Sequence, residues 1–492
     1  MTKLKYLLIA LVIGISAFTH LYRIDKTYIF NNDEGRDALI AYRMIDTRQP
    51  VLLGPETSVG NMYLGPFYYY MMVPSMLISG LDPAGPAIMV GLLGIITTAL
   101  LIYLGKRKSG YIAGIAAGLF YALSPVMVHY SRSSWNPNVI PFFIALLLLI
   151  YPTKKLWHSL SFGLITGIIF QLHYVALIVP ALLLLRDIWI GIQSRTWKTL
   201  SIQVGMIALG FTISSLPFWL FEIRHAFVNT QAFMTYLVEK GGVNNFGYPP
   251  YFTRLINNFK LLVTGLIGSS SLISTKVSLL TMVAGALTLI IYAFSLRGVL
   301  TFLTLASIVA ISVLKENINI HYLAFLFPII PLVIGQAVAK KGVLRITTIL
   351  LLLSLIAPSY SSLKYNLDEV ISSQPRRAKE TASYINKEAV GRPYNVVNTQ
   401  GSYATTIMYY LAISDNPPKN DLQPLIFDVC ERALCPQDDE TTTLLFLTGP
   451  AHPAIATYLG HPQINEYSGS RKIIKNEWVT YDIYVATIEL KP

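Results

Sequence analysis

Asn31-Asn32-Asp33-Glu34-Gly35-Arg36-Asp37 puts three acids and an arginine in seven residues, directly after the first apolar segment of the chain. Ala38 to Ile45 continue it as a short amphipathic helix. Asn32 is the expected N-cap, which puts Asp33 and Glu34 in the first turn. There the helix dipole favours a carboxylate, so Asp33 is expected to serve as a proton acceptor. At helical spacing Asp33, Arg36, Asp37 and Ile40 share one face, while Leu39, Tyr42 and Ile45 lie on another. A capped surface helix would use the same residues, and only the rest of the chain separates the two readings.

The surroundings are apolar. The chain has 492 residues, 53% hydrophobic and 13% charged, outside the range of soluble domains. Apolar runs recur to about Ser359, and a polar composition follows. The pattern predicts a polytopic α-helical membrane protein with a small C-terminal α/β domain, the two parts covering residues 1–360 and 361–492. The net charge of +12 is no nucleic-acid signature, because the basic residues fall in short clusters between apolar runs. Leu4 to Leu21 resembles a signal peptide but lacks a small-x-small cleavage site, and reads as a retained helix.

Those clusters set the orientation by the positive-inside rule. Lys3/Lys5, Lys106-Arg107-Lys108, Lys154-Lys155, Arg186 to Lys198, Arg297, and Lys340-Lys341 with Arg345 all fall on the cytoplasmic side of one map. Its eleven spans are 4–21, 86–104, 111–129, 138–152, 158–171, 174–186, 199–219, 276–296, 299–314, 321–338 and 343–360. The N-terminus is then cytoplasmic and the C-terminal domain extracytoplasmic. Phe67 to Ile78 is expected to lie in the outer interface. Gln171 and His173 are expected to split Ser159 to Leu185 into two short helices meeting at an outward turn.

The map leaves large outer loops at 22–85 and 221–276, and its outer turns share a chemistry. Asp33, Glu34 and Arg36 come from the first loop, Arg132, Trp135 and Asn136 from the second, and Gln171 and His173 from the third. Glu222, Arg224 and His225 follow the seventh span, while His321 and Tyr322 open the tenth. Each has a bland reading: a satisfied helix end for His173, a headgroup anchor for Arg132, an aromatic belt for Trp135. Their gathering at one face, with a paired acid among them, points to a site. A base beside cationic donors suits transfer from a membrane-bound phosphate ester. Arg132, Arg224, His225 and His321 would answer the leaving phosphate, and one carboxylate base suffices for the attacking hydroxyl. Glycoside hydrolysis normally needs two carboxyl groups. No P-loop, dinucleotide fingerprint or zinc motif is present.

The acidic pair after an N-terminal helix resembles the GT-C glycosyltransferases. So do Gly65-Pro66-Phe67-Tyr68-Tyr69-Tyr70, Leu123-Ser124-Pro125 leading to Ser131-Arg132, and Phe221 to Phe227. The resemblance covers roughly residues 1–360. The bacterial family 39 type, related to the protein O-mannosyltransferases and the lipid A aminoarabinose transferases, is the nearest group. It implies an inverting transferase at the outer membrane face, taking a sugar from a polyprenyl-phosphate donor. The acceptor hydroxyl would belong to a lipid, a polysaccharide or a protein. Asp33 would be the catalytic base and Glu34 its supporting neighbour. Arg36, Arg132, His173, Arg224, His225, His321 and Tyr322 would face the donor and its phosphate. Trp135, Asn136 and Gln171 would contact acceptor or sugar. Family members often carry an acid after the arginine of the second outer loop. Ser131 to Asn138 contains none, so a divalent metal is left open.

A lipid-linked glycan flippase would also gather cations near lipid phosphates, but it should show polar residues in mid-bilayer or internal repeats. A receptor-like scaffold displaying the C-terminal domain would leave the acidic pair unexplained. In that domain Asn395 to Val397, Leu444 to Leu447 and Trp478 to Glu489 read as strands, and Pro375 to Lys387 and Ser402 to Leu411 as helices. Cys430 and Cys435, on the oxidising side of the map, are expected to pair as a disulfide rather than hold a metal.

Overall fold

The computed structural model describes residues 2–57, 62–152, 155–242, 249–267, 298–314, 318–354, 356–368, 374–400, 404–419, 421–435, 444–445, 466–467 and 471–490. The chain enters through α1 (Thr2–Leu21), a turn of helix α2 (Ile24–Thr27) and α3 (Asn32–Thr47). An extended stretch leads to α4 (Phe67–Ile78), then to α5 (Ala84–Ser109) and α6 (Tyr111–Leu123). Next come α7 (Pro125–Ser131), α8 (Ile140–Ile150), α9 (Leu156–Leu172) and α10 (Ile178–Gln193). Beyond them lie α11 (Trp197–Ser214), α12 (Leu216–Arg224), α13 (Val228–Gly242) and α14 (Tyr251–Leu261).

Among the described residues three helices are long and apolar enough to cross a membrane: Lys3–Thr27, Ala84–Ser109 and Tyr174–Gln193. Three further pairs pass the same test as broken spans. Tyr111–Leu123 with Pro125–Ser131 bends by 65°, Trp197–Ser214 with Leu216–Arg224 by 73°, and Ile320–Leu326 with Ile329–Ala339 by 54°. Each break has a proline at it, Pro125, Pro217 and Pro328, because proline lacks the N–H that would continue the ladder. The expected spans 138–152, 158–171, 299–314 and 343–360 coincide with shorter apolar helices, as does Phe67–Ile78. The expected span 276–296 lies outside the described residues.

The break expected at Gln171 to His173 is present. Helix α9 ends at Leu172, and a 3-10 turn over Tyr174–Leu177 leads into α10. Helices α9 and α11 pack almost backbone to backbone. A Cβ on Gly163 would lie 2.0 Å from Ile207 O, and one on Gly210 would lie 2.2 Å from Leu160 O. Small residues give such apolar helices their packing in lipid.

Four more helices complete the set before the polar region: α15 (Val299–Ile311), α16 (Ile329–Ala339), α17 (Val343–Ser354) and α18 (Ile356–Asp368). Helix α18 runs past residue 360, so the change of composition falls inside a helix. The polar region holds α19 (Gln374–Ala389), α20 (Ala404–Ala412) and strands β1 (Tyr394–Gln400), β2 (Leu425–Glu431), β3 (Leu444–Leu445), β4 (Glu466–Tyr467), β5 (Arg471–Trp478) and β6 (Ile483–Leu490). Four strands form one sheet in the order β1-β2-β6-β5, with β1 parallel to β2 and the other pairs antiparallel. The sequence reading missed β2 at its centre and β5 at its edge. Of the expected strand Leu444 to Leu447, Phe446 and Leu447 lie outside the described residues. One apolar core runs through both parts: Tyr394, Phe427 and Ile407 belong to the same cluster as Tyr69 and Ile144.

Candidate functional site

Helix α3 begins one residue earlier than its sequence suggests. Asn31 is the N-cap, and the Asn31 N–H donates to Glu34 Oε2 at 2.9 Å. This is the back-bond of a capping box, with the acid three residues beyond the cap. Asp33 remains in the first turn, its side chain 47% exposed. Arg36 lies one turn on and donates from Nη1 to Asp33 Oδ1 at 2.8 Å. Its Nε and Nη2 donate to Asp37 Oδ1 at 2.9 and 2.8 Å. Asp37 is fully buried and also accepts from the Tyr69 hydroxyl at 3.2 Å. Burial raises the Asp37 carboxyl to about 6, with Arg36 opposing the rise. A planar guanidinium thus bridges two acids, with Tyr69 of α4 behind the inner one.

Glu34 points elsewhere. It is buried, and Ser133 Oγ donates to its Oε1 at 2.6 Å. Burial pushes its carboxyl up to about 7, against the pull of Ser133 and the Asn31 N–H. The role of close neighbour to Asp33 therefore passes to Arg36, and Glu34 ties α3 to the loop after α7.

Three residues expected to touch donor, acceptor or sugar are committed to backbone instead. Arg132 is buried and donates to Thr19 O at 3.0 Å, to Tyr22 O at 2.8 Å and to Thr27 Oγ1. It closes the end of α1, where carbonyls lack helical partners. Asn136 donates to Leu172 O at 2.6 Å. Gln171 donates to Gly167 O and Ser214 O, joining α9 to α11.

The remaining predicted residues fall into two groups. Trp135, His173, His321 and Tyr322 form a ring cluster, with centroids 4.6 Å apart for Trp135 and His321 and 5.0 Å for His173 and Tyr322. The Asp33 carboxylate lies within electrostatic reach of His321. His225 belongs to the second group, around a cavity of about 530 Å³ between α3, the stretch Pro50 to Glu56, α12 and α13. Arg36, Tyr69, Tyr63 and Glu56 line it together with His225. His225 stacks on Phe221 at 4.0 Å and is exposed. Arg224 is exposed at the end of α12 and does not line the cavity. Glu222 is buried and caps α13, accepting from Asn229 N at 3.1 Å and Thr230 N at 2.8 Å. Asn229 in turn holds both the N–H and the C=O of Tyr63.

No protein-family model matches the chain, and no curated protein does. Solved structures do. ArnT from Cupriavidus metallidurans bound to undecaprenyl phosphate is similar at 13% identity, over 99% of this chain and 98% of that one, with a TM-score of 0.59. Its apo state gives 0.51 at the same identity and coverage. The Archaeoglobus fulgidus oligosaccharyltransferase in complex with zinc and sulfate gives 0.51 at 13% identity, over 86% of this chain and 67% of that one. The chain has the GT-C fold. At this identity the likeness concerns the fold, and the roles of side chains in this GT-C chain rest on its own geometry.

That geometry does not suit a divalent cation at the acids of α3. The Arg36 guanidinium already lies between Asp33 and Asp37, where an ion would have to sit. Among the described residues one converging set of potential ligands occurs, Asp428 with Cys430 and Cys435, and both sulfurs are joined in a disulfide. Asp37, Tyr69, Ser133 and Glu56 were given no site role from sequence, although Asp37 was placed on the face of Asp33 and Tyr69 lies in the 65–70 stretch. Asp37 lies at helical spacing from Asp33 and Arg36, a signal open to reading; the other three come from distant stretches.

Proposed function

We propose that this GT-C chain is an inverting glycosyltransferase that moves a sugar from a polyprenyl-phosphate donor to an acceptor hydroxyl at the outer membrane face. One observation carries the reading: a half-exposed Asp33 is fixed by an arginine that also lines a cavity large enough for a sugar phosphate. Asp33 takes the proton of the acceptor hydroxyl while its oxygen bonds to the anomeric carbon. The bond from that carbon to the phosphate oxygen breaks, and the polyprenyl phosphate leaves with the electron pair. A single displacement inverts the configuration. The proton on Asp33 passes to water.

The Arg36 guanidinium spends three N–H groups on Asp33 and Asp37, which leaves two of its five for the phosphate. His225, whose Nδ1 donates to Phe221 O at 2.9 Å, would add its Nε2 from the α12 side as an imidazolium, the form in which both ring nitrogens donate. Such charge-assisted bonds stabilise the leaving group without protonating it. A burial-raised Glu34 is unsuited to the same task, because it faces Ser133 rather than the cavity.

Purified protein in detergent, incubated with a panel of polyprenyl-phosphate sugars and followed by mass spectrometry, tests the reading. Release of polyprenyl phosphate from at least one donor is expected, and its absence across the panel with folded protein would count against catalysis.

A further inference from the structure

The polar C-terminal region reaches the base-bearing helix directly. Thr405, at the start of α20, donates from Oγ1 to Asn32 O at 2.8 Å, with Asn32 Oδ1 at 3.0 Å. Asn32 is the residue before Asp33. One turn further, the two backbones close to contact, since a Cβ on Gly35 would lie 2.6 Å from Thr406 N and 2.8 Å from the Thr405 carbonyl carbon. The segment leading into α3 is held as well. Gln374, first residue of α19, accepts from Phe30 N at 2.9 Å, and the Tyr409 and Tyr410 rings flank the Phe30 ring at 6.1 and 6.0 Å. The Tyr409 hydroxyl bonds to Leu81 O, beyond the end of α4.

The geometry points to α20 as a positioning element for the acid cluster of α3, with Thr405 as its positioning residue. This deepens the proposed function and rests on it for the chemical consequence. Asp33 is in the first turn, where four N–H groups lack intrahelical partners and fraying begins. Arg36 steadies the Asp33 side chain, the Glu34 bond to the Asn31 N–H closes the first turn and Ser133 holds the Glu34 side chain, but none of these ties the first-turn backbone itself to another part of the chain. Thr405 does so at Asn32, and the close approach at Gly35 leaves α3 no room to shift toward α20. The catalytic carboxylate is thereby placed by a part of the chain more than 370 residues away. An ångström of misplacement at a reacting group can cost roughly 10²-fold in rate, so a contact that touches no substrate can govern turnover.

The test uses the full chain in detergent as wild type, Thr405→Val, Thr405→Ser and Gln374→Ala. Backbone hydrogen exchange over Asn32 to Arg36 is one readout, and steady-state kinetics with the donor the wild type accepts is the other. Thr405→Val should speed first-turn exchange roughly tenfold, the scale of one lost hydrogen bond. It should lower kcat by roughly ten- to a hundredfold with KM for the donor unchanged. Thr405→Ser, which keeps the hydroxyl, should restore both. Wild-type exchange and kcat in a folded Thr405→Val would overturn the inference. If Thr405→Val does not fold, Gln374→Ala decides, because it frees the Phe30 N–H from the same side: faster first-turn exchange supports positioning and unchanged exchange overturns it. If wild type turns over no donor, the glycosyltransferase reading fails while the exchange arm still judges the positioning of α3.

Discussion

Glu34→Gln separates the two acids that adjoin in sequence. The folded Glu34 carboxyl is raised from an ordinary 4.5 to about 7, chiefly by burial. In the unfolded chain it ionises near 4.5; in the folded chain it keeps its proton to about 7. Between those values the folded state binds more protons, so stability falls as pH rises. Below about 4.5 both states are protonated and nothing is lost. Above about 7 both are ionised, and the loss is complete. A pKa gap of about 2.5, at about 1.36 kcal/mol each, makes that loss about 3 kcal/mol. Glutamine does not titrate and can still accept from Asn31 N and bond to Ser133. The difference in stability between Glu34→Gln and wild type should therefore grow by about 3 kcal/mol from pH 4.5 to above pH 7, in favour of the variant. Denaturant midpoints in detergent, measured for both proteins across that range, give the difference directly. Other titrating groups are common to both proteins and cancel. Parallel curves would refute the burial argument for Glu34.

Asp33→Asn keeps the shape of the first turn and removes the base, so donor binding should persist while transfer falls about 10²–10⁴-fold; near-wild-type turnover would move the base elsewhere. Arg36→Lys replaces a fork by a point charge that cannot hold Asp33 and Asp37 together, and kcat should fall at least tenfold in the same assay. His225→Ala should weaken polyprenyl-phosphate binding about tenfold, the scale of one charge-assisted bond, whereas Arg224→Ala should leave calorimetric affinity unchanged; the opposite order would displace the phosphate from the cavity. For orientation, a cysteine at Lys472 should react with an impermeant maleimide in intact cells and one at Ser109 only after permeabilisation, with reversed labelling sinking the outer-face reading. Ser468, a natural choice for the outer probe, lies outside the described residues.

Much of this was legible in the residues because it is local. Two adjacent asparagines left the cap one residue off, at Asn32 instead of Asn31, but the spacing of Asp33, Arg36 and Asp37 puts their side chains within reach before any tertiary contact is known. The break at Gln171 to His173 was equally readable, since polar groups interrupt an apolar run there. What sequence did not convey is direction. Arg132 falls near the expected site in the chain, but the carbonyls of Thr19 and Tyr22 claim its guanidinium. Strand β2 was missed because Asp428 interrupts its apolar run, although neighbours β1 and β6 bury it on both sides. Tyr69 and Ser133 complete the acid network from stretches 32 and 99 residues away, distances at which periodicity says nothing.

The three acids of α3 show how one short motif divides its labour by environment alone. Asp37 is buried and gives Arg36 a fixed anchor, with Tyr69 sharing the same oxygen. Glu34 is buried on another side and spends both oxygens on Ser133 and the Asn31 amide, so its charge state affects stability more than reactivity. Asp33 alone is half-exposed, and Arg36 holds its Oδ1 while no described residue bonds its Oδ2. A general base needs an oriented lone pair that substrate can reach. Asp37 also has one oxygen fixed and the other unpartnered, but that oxygen is buried, so of the three only Asp33 offers a free oxygen on an exposed side chain. A transporter that cradled a lipid phosphate would gain from Arg36 and His225, but an oriented carboxylate beside them would repel the anion it carries. An enzyme needs that repulsion, because the acceptor hydroxyl must lose its proton to a group that does not bind the donor.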